Sequence, residues 1–216
     1  MSDNSLDIIA EQTRSRYSRR YREMGYNVKT LGWGTVEQQQ LRFDRVLQAV
    51  DISGRHVLDI GCGFGDLLDY CNERGRVPAQ YTGWDINPEL VDEAVRRHQG
   101  RAADFSVANL SERSECRAVA DVGVMLGVLN FNLGDIYDNL DYSRMMIEKA
   151  FKAVGETLVV DFLSTCLTPG YLKEDAVFYH DPEQMLSFAL ELTPDVTLLH
   201  DYPPIPQKEF MLVLHR

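Results

Sequence analysis

The residues best suited to chemistry stand in two short stretches, Asp59-Ile-Gly-Cys-Gly-Phe-Gly65 and Gly83-Trp-Asp-Ile86. In the first, Gly61, Gly63 and Gly65 alternate with Cys62 and Phe64, and an acid stands two residues before the first glycine. Without a Cβ, such a turn can be tight and its backbone can lie directly against a ligand. In the second, Asp85 follows Gly65 by twenty residues. An acid at that interval, closing the next strand, accepts hydrogen bonds from ribose hydroxyls. Asn87 and Pro88 already supply a helix cap and a first-turn proline, which leaves Asp85 for binding. Together the two stretches describe a nucleotide crevice. A dinucleotide fingerprint, G-x-G-x-x-G, sets its last glycine one position further out than here, which disfavours a nicotinamide enzyme.

The elements that must position these residues follow from apolar patterning. Val57, Leu58 and Ile60 form a short run suited to a strand buried on both faces, and Asp66 opens a helical pattern that stops near Gly75. Further strands are expected over 80–86, 103–107, 121–126, 157–163, 196–200 and 210–215, the last two joined by a proline-rich turn. Helices fall between them: one from Asn87 to 97–100, one through Leu140, Met146 and Phe151 to Gly155, and one over 182–192. Two more precede the first strand, over 6–24 and 35–50, the second opened by a Thr35/Gln38 capping box. Alternating strands and helices predict a doubly wound α/β chain.

The strand, acid, apolar residue and G-x-G-x-G of residues 57–65 resemble motif I of the class I S-adenosylmethionine-dependent methyltransferases. Asp85 stands where that family keeps its ribose-binding acid, and the segment around Leu126 resembles the end of its fourth strand. In element order the resemblance covers residues 35–216. It implies a Rossmann-like, mostly parallel sheet of seven strands with an antiparallel last strand, in a single domain of residues 1–216. Residues 1–50 would form a helical cap and 55–216 the core. The implied cofactor is S-adenosyl-L-methionine, held by Asp59, Gly61, Cys62, Gly63, Gly65, Asp85, Ile86 and Leu126. Ile86 packs on the adenine in that scheme. For the adenine amino group there are two candidates, Asn109 and Asp104; strand polarity favours Asn109, because ligands bind outside the carboxyl ends of the strands.

The implied activity is methyl transfer to a small-molecule acceptor, at oxygen or nitrogen. A tRNA or protein acceptor is the alternative, as is a non-catalytic module that keeps S-adenosylmethionine as a ligand. Tyr17, Trp33, Asn130 and Tyr179 are the candidate acceptor contacts. His56, His98 and His215 fall on the far side of such a sheet, and His200 near its edge. His180, just before the Asp181-Pro182 helix start, falls on the site side and is the candidate general base. A hydroxyl acceptor would need one, whereas a neutral amine or a thiolate would need little help.

Bulk properties narrow the partners. The 216 residues, 44% hydrophobic and 25% charged, suit one sizeable soluble domain. A net charge of −11 argues against a nucleic-acid partner, which calls for a basic surface. The opening lacks the basic and apolar regions of a signal peptide, and no apolar run is long enough for a bilayer, so a cytoplasmic monomer or homodimer without a membrane partner is expected. Cys62, Cys71, Cys116 and Cys166 lack zinc-ligand spacing, and no metal site is expected. Arg14, Arg16, Arg19, Arg20 and Arg22 read either as a basic arm for an anionic substrate or RNA, or as a solvated helix face. Acids near the start of that helix and arginines near its end favour the face.

Overall fold

The computed structural model describes residues 3–113, 117–201 and 208–216. Cys116 and most of the expected proline-rich turn lie outside the described residues. The strands are β1 (His56–Ile60), β2 (Gln80–Asp85), β3 (Ala103–Val107), β4 (Ala120–Met125), β5 (Val154–Leu163), β6 (Val196–Leu199) and β7 (Glu209–His215). They form a seven-stranded sheet in the order β3-β2-β1-β4-β5-β7-β6. Pairings among β1 to β5 are parallel, and β7 runs antiparallel to both β5 and β6. The strand order reverses between β1 and β4, so a crevice opens beyond the carboxyl ends of those strands.

Alternation along the strands divides the core in two. Leu58, Ile60, Met125, Leu158, Val160 and Phe162 point to one face, where α5 (Asn139–Lys152) and α6 (Pro182–Leu192) cover them with Met146, Ile147, Met185 and Phe188. Val57, Tyr81, Val122, Val124 and Val159 point to the other. There α2 (Val36–Ala49) and α3 (Asp66–Glu73) supply Phe43, Val46, Leu67 and Tyr70. Each fully buried side chain of this size stabilises by about 1.5–3 kcal/mol. Thr35 caps α2 by accepting from the Gln38 amide, and Asn87 caps α4 (Pro88–Arg97) by accepting from the Leu90 amide.

One boundary differs from expectation. The helix expected to reach Gly155 ends at Lys152, and β5 begins at Val154 rather than Thr157. Val154 is fully buried, pairs with Ala120 across a register shift and fills the space beside Gly123. Burial of that side chain draws the residue into the sheet.

The first helix, α1 (Asp3–Met24), docks on α4 rather than on the sheet. The Asn87 side-chain Nδ2 donates to the Arg14 carbonyl (3.0 Å) and Ser18 Oγ (2.9 Å), and the Tyr21 hydroxyl donates to Glu93 (3.2 Å). These contacts lay α1 across the crevice. Among the described residues, no helix is long and apolar enough to cross a membrane.

Candidate active site

The turn after β1 is tied to β2 from its first residue. The amides of Gly61 and Cys62 both donate to the Trp84 carbonyl, at 2.7 and 3.1 Å. Gly61 and Gly63 have φ of +79° and +54°, a left-handed region that side chains avoid. A Cβ on Gly61 would stand 2.5 Å from Val128 Cγ2, and one on Gly63 would stand 2.8 Å from a Leu31 methyl. Side chains from two other segments therefore press on the turn, and only glycine fits beneath them. Gly65 then caps α3. Below it lies His98, whose Nε2 is 3.2 Å from the Phe64 carbonyl and whose ring stacks on Phe105. His98 was expected on the far side of the sheet. Instead its ring folds back to support the glycine turn, because α4 packs directly beside β3.

Two buried acids flank the turn. Asp59 accepts a hydrogen bond from the Tyr81 hydroxyl, and burial pushes its carboxyl up to about 7. Asp85 accepts the Gly63 amide on Oδ2 (2.9 Å) and the Asn87 amide on Oδ1 (2.8 Å). Burial raises the Asp85 pKa, and those amides oppose the rise. A carboxylate offers about four acceptor positions, so some capacity remains for a diol.

The turn and the acids face a cavity of about 750 Å³. Asp59, Gly61, Cys62, Gly63, Asp85, Ile86, Asn109 and Leu126 all line it, as do Tyr17, Trp33 and Asn130. Gly65 and Asp104 do not. Asp104 is exposed beside Gln80, whereas Asn109 stands at the carboxyl end of β3 and caps a short 3-10 turn through Ser111. This lining fits S-adenosylmethionine by its chemistry: an acid with spare acceptor positions, a side-chain-free turn, and apolar Ile86 and Leu110 beside them. Among the described residues, no group of histidines, cysteines and acids is arranged to hold a metal.

On the opposite wall, Tyr17 of α1 sits 6.0 Å from the Phe131 ring, and burial pushes its hydroxyl up to about 12. Trp33 lies over Gly127, so that a Cβ there would stand 2.9 Å from its ring. Asn130 accepts the Leu163 amide (3.3 Å) through its side chain and the Phe178 amide (3.0 Å) through its carbonyl. Tyr179 is not in the lining. Its hydroxyl accepts the Glu174 amide at 3.2 Å and lies 3.5 Å from that of Tyr171, which does reach the cavity.

His180 is the main correction. The residue is on the expected side of the sheet, yet its side chain has no solvent exposure and does not line the cavity. Nε2 meets Ser143 Oγ at 2.9 Å, and the ring packs edge-on to Phe162 and Phe178. Burial pulls its pKa down to about 4. A ring so enclosed cannot reach an acceptor, so it is no candidate for the base.

Several cavity residues escaped the sequence reading. Arg42, buried under the Trp33 ring at 4.5 Å, pairs with Asp161 and Glu209. Asp161 in turn accepts the Gly127 amide (2.6 Å) and so fixes the turn after β4. The signal was available: Asp161 and Glu209 are acids inside otherwise apolar strands. Arg16, Arg19 and Arg20 of α1 also line the cavity, while Arg14 pairs with Glu11 and Arg22 bonds the Ser18 carbonyl. The solvated-face reading holds for Arg14 and Arg22, Arg19 is exposed while also lining the cavity, and Arg16 and Arg20 are partly buried.

Comparison with known proteins agrees with this geometry. Residues 57–138 match the profile of a methyltransferase domain family. A Mycobacterium tuberculosis protein named as a methyltransferase, Rv1506c, is 34% identical over 164 residues, covering 73% of this chain and 92% of that one. The fatty-acid O-methyltransferase of Mycolicibacterium smegmatis is 38% identical over 122 residues, 56% of this chain but 42% of that enzyme. Among solved structures, magnesium protoporphyrin IX methyltransferase of Synechocystis PCC 6803, with S-adenosylhomocysteine bound, superposes with a TM-score of 0.68 at 17% identity, over 97% of this chain and 99% of that one.

Proposed function

Because this chain belongs to the class I S-adenosylmethionine-dependent methyltransferases, we propose that it methylates a small-molecule acceptor, at oxygen or nitrogen, in the cavity between the glycine turn and α1. S-adenosylmethionine, when bound, supplies a methyl group already activated on a sulfonium. The chain's own residues have to hold, align and exclude water.

The observation that carries this reading is the cavity. Its volume of about 750 Å³ is that of a small-molecule site, commonly about 300–1,000 Å³. The glycine turn forms one wall, while α1, the 31–34 turn and the 165–179 loop supply the others. The lining also holds an apolar set, Ile9, Phe131, Leu133, Met146 and Leu163. The name of the Mycolicibacterium smegmatis relative, a fatty-acid O-methyltransferase, supports an acceptor with an apolar body.

In this reading Asp85 accepts from the ribose hydroxyls, the Gly61–Gly63 backbone lies along the amino-acid part, and Ile86 and Asn109 border the adenine. Leu126 borders the methionine, and Tyr17, Trp33 and Asn130 orient the acceptor. Among the described residues no histidine lines the cavity, and in this reading alignment carries the reaction. An acceptor atom with a free lone pair at neutral pH, such as a carboxylate or a weakly basic aromatic amine, suits that arrangement.

The test is calorimetric titration with S-adenosylhomocysteine, followed by measurement of its release from S-adenosylmethionine across panels of small acids and amines, tRNA and protein. Binding with one-to-one stoichiometry and release only with small molecules is expected. Release with tRNA or protein alone would overturn the acceptor class. Binding without release on any panel would favour the non-catalytic module.

A further inference from the structure

The four arginines and four acids that line the cavity differ in whether they have partners. Its carboxylates are already engaged: Asp59 by Tyr81, Asp85 by the Gly63 and Asn87 amides, Asp66 by Tyr26 and Gln39, and Glu174 by Tyr171. Arg42 is paired with Asp161 and Glu209. Among the described residues, Arg16, Arg19 and Arg20 have no carboxylate partner, although the whole chain carries −11. S-adenosylmethionine would not partner these arginines with net negative charge. Its sulfonium and ammonium outweigh its one carboxylate, so it brings one further positive charge.

The three arginines are not equivalent. Arg20 stands over Tyr17 and beside Gly32, next to the Leu31 that presses on the glycine turn. That is the cofactor side. Arg16, one helical turn earlier, lies 3.8 Å from the centroid of the Phe131 ring, beyond the carboxyl end of β4. Phe131 pairs with Val177 of the 165–179 loop, which places Arg16 at the acceptor end. It is half-buried, and burial pulls its pKa below the usual arginine value. Stacking on an aromatic ring fixes the plane of a guanidinium and leaves its N–H fork free for a planar or tetrahedral oxyanion. The same cavity carries the apolar side chains of Ile9, Leu133 and Met146.

Resting on the methyltransferase reading and deepening it, we propose that the acceptor is an anionic amphiphile. Arg16, with Arg19 beside it on the same face of α1, grips its carboxylate or phosphate, and the apolar chamber holds its body. Arg16 is then a specificity residue, sorting acceptors by charge.

The probes are dodecanoate, dodecyl phosphate and uncharged 1-dodecanol, titrated calorimetrically into the full chain with and without saturating S-adenosylhomocysteine. At least one anion should bind tenfold or more tightly than dodecanol, and less tightly as salt rises. Which anion binds better identifies the oxyanion. Arg16→Gln should weaken the preferred anion about ten- to a hundredfold, leave dodecanol unaffected and keep S-adenosylhomocysteine affinity within about threefold. That retained affinity also shows the variant to be folded. Arg16→Lys should recover only part of the loss, because a point charge replaces the fork. Equal binding of dodecanol and both anions, or no anion binding, overturns the proposal. So does an equal loss of both affinities in Arg16→Gln, which would give Arg16 to the cofactor carboxylate. Failure of S-adenosylhomocysteine to bind would instead overturn the function above, and the titrations without it would still test Arg16.

Discussion

The amide of Gly63 donates to Asp85 Oδ2 at 2.9 Å, joining the turn after β1 to the end of β2. Asp85 thus serves as a clamp on the glycine turn as well as a candidate ribose ligand, and its other oxygen holds the start of α4 through the Asn87 amide. The acid organises the site before any ligand arrives.

Asp85→Asn tests both roles. An amide has one acceptor oxygen, so one of the two N–H donors would meet an NH₂ group. S-adenosylhomocysteine affinity should fall about ten- to a hundredfold, and the melting temperature by several degrees, on the order of 2–4 °C per kcal/mol for a chain of this size. Calorimetry and thermal melting read the two separately. A lowered melting temperature with unchanged affinity would leave Asp85 as a clamp only.

What the sequence revealed, and what it hid, divides along a physical line. The glycine turn, the Thr35 and Asn87 caps and the succession of strands and helices along the chain depend on local backbone conformation or on the periodicity of a few residues, and these were legible. The orientation of His180 depends on Ser143 and Phe162, and that of Arg16 on how Asn87 and Glu93 seat α1. Such contacts join distant segments, and no local pattern records them. Arg42, Asp161 and Glu209 are an intermediate case. Two acids within apolar strands announce a buried cation without saying which one.

Asp59 makes stability depend on pH. Its carboxyl is raised by burial to about 7 in the folded chain, against about 3.9 when unfolded. Between those values the folded state holds a proton that the unfolded state has given up. Stability from this group is therefore full below about pH 4, falls as pH rises towards 7, and is constant above. Asp59→Asn stays neutral throughout. Its unfolding free energy relative to the parent should rise across that window by on the order of a few kcal/mol. Asp85 and Asp161 are raised as well but are common to both proteins, so the difference isolates Asp59. Urea denaturation at several pH values between 4 and 8 measures it, and a constant difference would mean that Asp59 titrates as an exposed acid.

His180 should act in the opposite sense over nearly the same range. Its pKa is depressed to about 4 by burial, against about 6.5 when unfolded. As pH falls through that interval the unfolded state takes up a proton that the folded state refuses. Its contribution is thus complete above about pH 6.5 and lost progressively towards pH 4. The slopes of Asp59 and His180 partly cancel in the parent protein, so only variants expose either. His180→Gln keeps a hydrogen-bonding group for Ser143 and cannot titrate. It should remove an acid-side loss on the order of 3 kcal/mol, while S-adenosylhomocysteine affinity and methyl transfer at pH 7.5 stay within about threefold. A general base would behave differently, with turnover falling about 10²–10⁴-fold and the pH dependence of stability unchanged. That outcome would return His180 to the catalytic site and require its ring to leave the pocket formed by Phe162 and Phe178.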